Sequence, residues 1–289
     1  MPSRLHQLTS PSVPLKRRNI VTTEWTPIRS WPVVLLERLG DTGVARIVLN
    51  RPEKRNALSH ELIGSYLEAL EEVRSDDSIV VLVTKGNGPT FSAGLDLYDL
   101  KSTHEGRLPD WDKSTPSTNL YETVRKFPRV TIAQVHGHCL GGAVALLNSH
   151  DLAVASRSVK IGMPEIFRGS YGQNVTATLF HAAIPFKKAA LMQLSGRNLS
   201  GDEADRLGVV SFAVDDADLE DETVKLACEI AQFHPAALQH AKIAVQLGRD
   251  LPLPHAIEVD RLVTARMFSA SNPFSKLDDY LSSRKTTAG

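Results

Sequence analysis

Two periodicities alternate along most of this chain. VVLLERLGDTGVARIVLNRP, residues 33–52, reads as two β runs around a DTG turn that end at Pro52. SHELIGSYLEALEEVRSD (59–76) then switches to a helical period, with Leu62, Tyr66, Leu70 and Val73 on one face and Ser59 as N-cap. IVVLVTKG (79–86) is a short apolar run of the kind buried on both faces of a sheet. After a loop and a further helix come the strand VTIAQV (130–135), the helix GGAVALLNSHD, the strand LAVAS (152–156), VKIG (159–162) and the loop MPEIFRGSYGQN. Strands alternating with helices predict parallel βαβ units. Beyond about Pro185 the pattern is mostly helical, through KKAALMQLSG, SGDEADRLG, DETVKLACEIAQF, PAALQHAKIAVQLG and HAIEVDRLVTARMFS.

The reading that follows is an α/β core at 33–210, a helical C-terminal region at 211–289 that serves oligomerisation and covers the site, and an N-terminal arm at 1–32. The arm carries Arg4, Lys16, Arg17, Arg18 and Arg29 against one acid, Glu24. It is either a flexible or subunit-wrapping arm, or a basic, acid-poor transit peptide. The first option goes with a cytoplasmic protein, the second with a mitochondrial one.

Charge and cysteine content narrow the chemistry. Lys plus Arg and Asp plus Glu stand at 33 each, so no net field points to nucleic acid or to an anionic membrane. The longest apolar stretch, VTIAQVHGHCLGGAVALL, is interrupted by Gln134, two histidines and a glycine pair, which argues against a membrane span. Cys139 and Cys228 are the two cysteines, in no metal-like spacing, so neither a disulfide framework nor a metal site is encoded. There is no G-x-S-x-G elbow, since Ser92 lies in TFSAG. GNGPTF lacks the third glycine of a dinucleotide fingerprint, and His60-Glu61 has no second histidine at zincin spacing.

What remains is a pair of similar hinges. FSAGLDL (91–97) and CLGGAVAL (139–146) each follow a strand and place a small residue and a glycine before an apolar helical start. Two helix starts converging on one point can offer two backbone N–H donors to a developing oxyanion. Taken singly, each glycine is ordinary punctuation between strand and helix.

NRPEKRNALS (50–59), FSAGLDL, VHGHCLGGAVAL (135–146) and MPEIFRG (163–169) resemble, in order and spacing, segments of the enoyl-CoA hydratase/isomerase (crotonase) superfamily. LSGRNLSGDEADRLGVVSFAV and KLDDYLSSRK are similar to its later segments, so the resemblance spans roughly Val33 to Lys285. It implies a spiral of ββα units with a helical C-terminal region, assembled as a homotrimer or a dimer of trimers. It also implies an acyl-CoA thioester as substrate, coenzyme A entering as part of that thioester, with no permanent cofactor or metal.

By the same resemblance Leu95 and Gly142 supply the oxyanion N–H groups, and Lys54, Arg55, Ala57 and Ala93 border the coenzyme A moiety. Lys54 and Arg55 also fit a solvated turn. Family hydratases commonly use two glutamates. Glu165 matches the second, whereas the position of the first is Ala145, which cannot transfer a proton. Glu165 is therefore the single candidate general acid/base, its alternative being a surface-loop acid. One carboxylate suits Δ3,Δ2-enoyl-CoA isomerisation, hydration, or the hydroxycinnamoyl-CoA hydratase-lyase reaction; a non-catalytic acyl-CoA-binding relative and a β-diketone hydrolase are the other readings.

SYGQNVTATLF (170–180) loosely resembles the hydratase-lyase pattern, and its Tyr171, Gln173 and Asn174 are candidates to touch an acyl group or water, or else to make ordinary loop hydrogen bonds. His136 and His138 flank Gly137, and strand alternation puts both on one face. They either replace the missing acid or are structural or at a subunit contact. Cys139 reads as a small buried filler.

Overall fold

The structure, a computed structural model, describes residues 24–104, 115–172, 175–181 and 184–270. Gln173, Asn174, the first part of the arm and the KLDDYLSSRK segment lie outside the described residues.

Seven strands form the main sheet: β1 (Trp25–Trp31), β2 (Val34–Leu39), β3 (Val44–Leu49), β4 (Val81–Gly86), β5 (Val130–Val135), β7 (Leu152–Ser156) and β9 (Phe212–Val214), in that spatial order. The first three are antiparallel neighbours, and from β3 onward every pairing is parallel. A second, two-stranded parallel sheet joins β6 (His138–Leu140) to β8 (Lys160–Gly162). This is mixed α/β architecture with helices crossing between parallel strands.

One face of the main sheet is covered by α1 (His60–Ser75), α3 (Pro116–Arg125) and α4 (Gly142–Ser149). Ser59 caps α1 by accepting the Leu62 N–H at 3.2 Å, and Leu62, Tyr66, Leu70 and Val73 are all buried, as the helical stripe requires. Helix α4 is buried all round except Asn148, so it runs through the core, not over it. The chain between α1 and α4 also carries α2 (Leu97–His104). Beyond β8 follow α5 (Val175–His181), α6 (Phe186–Ser195), α7 (Gly201–Arg206), α8 (Leu219–Ala231), α9 (Pro235–Asp250) and α10 (Leu253–Ala270). No helix among the described residues is long and apolar enough to cross a membrane.

Two boundaries drawn from the sequence move. Trp25–Trp31, assigned to the arm, is an edge strand paired antiparallel with β2, and Arg46 stacks on Trp25 with its guanidinium 4.0 Å from the ring centroid. Its proline, Pro27, and its charge, Arg29, hid a strand whose interior positions are exposed on both faces. The division at residue 210 also fails. Strand β9 closes the far edge of the main sheet, and α8 packs Leu219, Ala227 and Cys228 against Leu39, Val81, Val83, Ile132 and Val154 on the sheet's second face. The helical region therefore begins as part of the core, and α9 still docks on it through Lys242, which donates to Asp151 at 2.7 Å and to the Arg129 carbonyl at 2.9 Å.

Candidate functional site

The two hinges meet because their strands end side by side and then hydrogen-bond to each other. Phe91 and Ser92 donate to the carbonyls of His136 and His138, each at 3.0 Å, and Leu140 donates back to Ser92 at 3.1 Å. Beyond this short pairing the chains turn at Gly94 and Gly141, both at positive φ, of 92° and 55°. A side chain at Gly94 would run into the Leu140 carbonyl and stand 3.1 Å from the Gly142 nitrogen, so only glycine lets the two turns approach this closely. Among the described residues, neither the Leu95 N–H nor the Gly142 N–H donates to a protein acceptor. Gly142 opens α4, where a first-turn N–H has no partner within its own helix.

A third loop locks onto the first hinge. Pro52–Lys54 forms one 3₁₀ turn, after which Arg55 and Asn56 both take the left-handed conformation. The Arg55 carbonyl accepts the Ala93 N–H at 2.9 Å, Ser92 Oγ donates to the Asn56 carbonyl at 2.7 Å, and Leu58 donates to Gly94 at 2.8 Å. The Asn56 side chain is wholly buried, accepting from the Arg51 N–H and donating to the carbonyls of Asn87 and Thr90. Arg51 in turn donates to Asp96 at 2.6 Å. Burial opposes the Asp96 charge, but Arg51 and the Tyr98 N–H outweigh it and hold the carboxyl below the usual aspartate range. Arg55 is thus tied to Ala93 and Leu58 bridges to Leu95, with Lys54 and Ala57 on the same loop; Lys54 and Arg55 are exposed, Ala57 and Ala93 half-buried.

Glu165 arrives from the other side. Leu140 is opposite Gly162 in the β6–β8 ladder, and the Gly141 N–H donates to the Gly162 carbonyl at 2.9 Å. Two residues on, Pro164–Arg168 winds into a 3₁₀ helix that ends at the left-handed Gly169. This holds the Glu165 carboxyl over Gly141, where an added Cβ would stand 2.5 Å from Oε1. Glu165 is half-buried and its Oε2 is buried with no hydrogen-bond partner among the described residues. Burial raises its carboxyl above the ordinary glutamate value, against its own backbone N–H and the Arg168 charge, which favour the ionised form. Ala145 lies one turn into α4, fully buried.

One group at this point was not singled out from the sequence. Tyr121, on the buried face of α3 with Leu120 and Val124, is 5 % exposed, and its hydroxyl has no partner among the described residues. An added Cβ on Gly142 would stand 2.8 Å from that hydroxyl and 2.9 Å from Leu95 Cγ. Burial first, then the nearby Glu165 and Cys139, push the phenol well up, so it stays protonated. In the sequence Tyr121 sits on an apolar helical stripe and reads as core; its hydroxyl was the one available signal.

The other candidates are placed differently. His136 and His138 do not share a strand face: β5 ends at Val135, Gly137 turns at φ 59°, and His138 begins β6 in the second sheet. His136 Nε2 is 2.8 Å from the Gly88 carbonyl, and burial lowers its pKa, partly offset by that contact. His138 is half-buried opposite Lys160. Tyr171 is exposed, and Asn174 lies outside the described residues. Cys139 is a buried free thiol, as its reading as a filler expects. Among the described residues no group of three or more His, Cys, Asp or Glu is arranged to hold a metal ion.

Comparison with known proteins bears on the family and the fold. The family model described as enoyl-CoA hydratase/isomerase matches residues 40–287. The chain is 30 % identical over 224 residues to hydroxycinnamoyl-CoA hydratase-lyase of Pseudomonas fluorescens, covering 76 % of this chain and 80 % of that one. It is 33 % identical over 226 residues to (E)-benzylidenesuccinyl-CoA hydratase of Thauera aromatica, covering 76 % and 85 %. Among solved structures, enoyl-CoA hydratase subunit I of Geobacillus kaustophilus superposes with a TM-score of 0.80 at 27 % identity, covering 88 % of this chain and 97 % of that one.

Proposed function

The chain belongs to the enoyl-CoA hydratase/isomerase (crotonase) family, and from that premise we propose that it processes an acyl-CoA thioester through an enolate, with Glu165 as its single general acid/base. The observation that carries the reading is the Glu165 carboxyl held over Gly141, at the turn where the N–H groups of Leu95 and Gly142 are unpaired among the described residues.

In this reading the thioester oxygen lies between those two N–H groups. Each such donor contributes about 3 kcal/mol when charge develops on the oxygen, because it is already oriented. For hydration of a 2-enoyl thioester, water bonds to the β-carbon and gives its proton to Glu165. The π pair moves to the thioester oxygen as an enolate, and the same carboxyl then delivers a proton to the α-carbon as the enolate collapses. For a 3-enoyl thioester, Glu165 removes an α-proton and returns it to the γ-carbon, which shifts the double bond without water. Ala145 has no proton to exchange, so every transfer passes through one carboxyl. The raised pKa of Glu165 suits a group that must both take and give a proton. Lys54, Arg55, Ala57 and Ala93 border the coenzyme A end of the substrate, supported by the hydrogen bonds that fix their loop beside Leu95.

A second reading is hydration followed by cleavage of the Cα–Cβ bond, releasing an aldehyde and an acetyl thioester. It is favoured by the similarity to the Pseudomonas fluorescens protein and by the small residue at Ala145. Mass spectrometry of products from 2-enoyl, 3-enoyl and hydroxycinnamoyl thioesters in oxygen-18 water separates the outcomes: labelled hydroxyacyl product, shifted double bond without label, or released aldehyde. Unchanged turnover in Glu165→Gln would overturn the acid/base assignment, and absence of turnover with tight thioester binding would leave an acyl-CoA-binding relative.

Assembly as a homotrimer or dimer of trimers is supported by the apolar residues that α9 and α10 leave exposed, among them Val245, Leu253, Ile257 and Leu262. Light scattering of the full chain tests it, and a monomer at micromolar concentration would overturn it.

A further inference from the structure

Two buried oxygen atoms without partners among the described residues lie at the same glycine pair. Tyr121 Oη lies beside Gly142, and the Glu165 carboxyl lies over Gly141 with its Oε2 unpaired among the described residues. Native interiors satisfy nearly all buried polar atoms, so two orphans converging on one turn mark a place for a polar group that comes with the substrate. One is a donor and the other, when ionised, an acceptor only. A hydroxyl-sized oxygen can accept from the first and donate to the second; a carbon chain can satisfy neither.

We propose that Tyr121 positions the oxygen at the substrate's β-carbon, which is the water to be added in hydration and the hydroxyl to be expelled in the reverse direction. This rests on the single-glutamate reading above and deepens it: Tyr121 supplies by position the second polar contact that Ala145 lacks, but no proton transfer. Its phenol, kept protonated by burial, donates a hydrogen bond to the oxygen while Glu165 takes that oxygen's proton. The glycine at position 142 has its reason here too. Its φ is not positive, yet a methyl group would press on both the Tyr121 hydroxyl and Leu95. The donor therefore reaches the turn only past a residue with no side chain.

The test compares two reactions on the same enzyme. Hydration of a 2-enoyl thioester needs the β-oxygen; exchange of α-protons of a saturated acyl-CoA thioester for deuterium needs only Glu165 and the oxyanion N–H groups. Tyr121→Phe is expected to lower kcat for hydration about tenfold or more with KM within about twofold, and to leave α-exchange within about twofold. Retained exchange also shows that the variant is folded. An equal fall in both reactions would make Tyr121 a packing residue, and undiminished hydration would remove it from the mechanism; either overturns the proposal alone. A wild-type enzyme that exchanges α-protons but hydrates no 2-enoyl thioester would also overturn it, while the single-glutamate reading stands. If wild type exchanges nothing, both fall.

Discussion

Two carboxylates, Glu220 against the second face of the main sheet and Glu165 beside the glycine hinges, differ in one respect. On the second face Glu220, at the start of α8, accepts from Lys85 at 2.6 Å, Gln134 at 2.9 Å and Arg46 at 2.7 Å, while Arg46 also donates to Glu37 at 2.6 Å. That cluster is closed: the carboxylate oxygens, two cations and an amide satisfy one another, and the helix start adds its own favourable dipole. At the hinges Glu165 and Tyr121 have buried oxygens without partners among the described residues, and the backbone N–H groups of Leu95 and Gly142 are likewise unpaired there. A closed cluster spends its polarity on holding α8 to β3, β4 and β5. An open one keeps it for a ligand, at a cost in stability that the rest of the fold carries.

The sharpest way to break this contrast is to remove the open carboxylate. Glu165→Gln keeps shape and loses proton transfer, so kcat should fall by about 10²–10⁴-fold with the fold intact. Steady-state turnover and circular dichroism together check it. Next in size is Gly141→Ala. The residue sits at φ 55°, ψ −125°, and its methyl would meet Glu165 Oε1 at 2.5 Å. Displacing the carboxyl should lower kcat roughly a hundredfold, and the backbone strain should cost about 1–3 kcal/mol in urea unfolding.

The closed cluster should respond in the opposite sense. Glu220→Gln is expected to leave turnover within about twofold and to lower unfolding stability by about 1–2 kcal/mol at neutral pH, a modest loss because solvent screens the partly exposed carboxylate. Burial opposes the Glu220 charge, but Lys85, Gln134 and Arg46 hold its carboxyl below the usual glutamate range. Its contribution is therefore present above the unfolded value, about pH 4.3, and is lost as pH falls through the lower folded value. The stability gap between Glu220→Gln and wild type should close in acid.

Much of this contrast was legible in the sequence, and the remainder has a physical cause. The hinges announce themselves because glycines at strand ends are local signals, whereas Glu165 and the vacant role of Ala145 were legible only through the family resemblance of the segments around them. Helix α1 with its Ser59 cap is as local as the hinges. Tyr121 is not, because its importance comes from meeting Gly142 across two helices, while its own helix shows only an apolar stripe. The Glu220 cluster joins residues 37, 46, 85, 134 and 220, separations that no window reveals. Strand β1 was lost to the arm because an edge strand open to solvent carries charge and proline without penalty. The histidines were grouped wrongly because alternation was carried through Gly137, whose positive φ ends it.

The smallest effect is also the one that most directly compares the two carboxylates. Glu165 is shifted upward by burial, the reverse of Glu220, so the sign of its pH linkage reverses. In the window between the ordinary glutamate value and the raised one, the folded state binds more protons than the unfolded chain, and stability falls as pH rises. At neutral pH the ionised Glu165 is therefore a liability to the fold, and Glu165→Gln should melt slightly above wild type there and level with it well below pH 4. The same shift should appear in catalysis as an acid limb of kcat/KM centred above the ordinary glutamate pKa. Melting curves for both variants across pH 3–8 check it: Glu165→Gln gaining on wild type as pH rises and Glu220→Gln losing ground identify one carboxylate kept for a substrate and one kept for the fold, whereas parallel curves would erase the distinction.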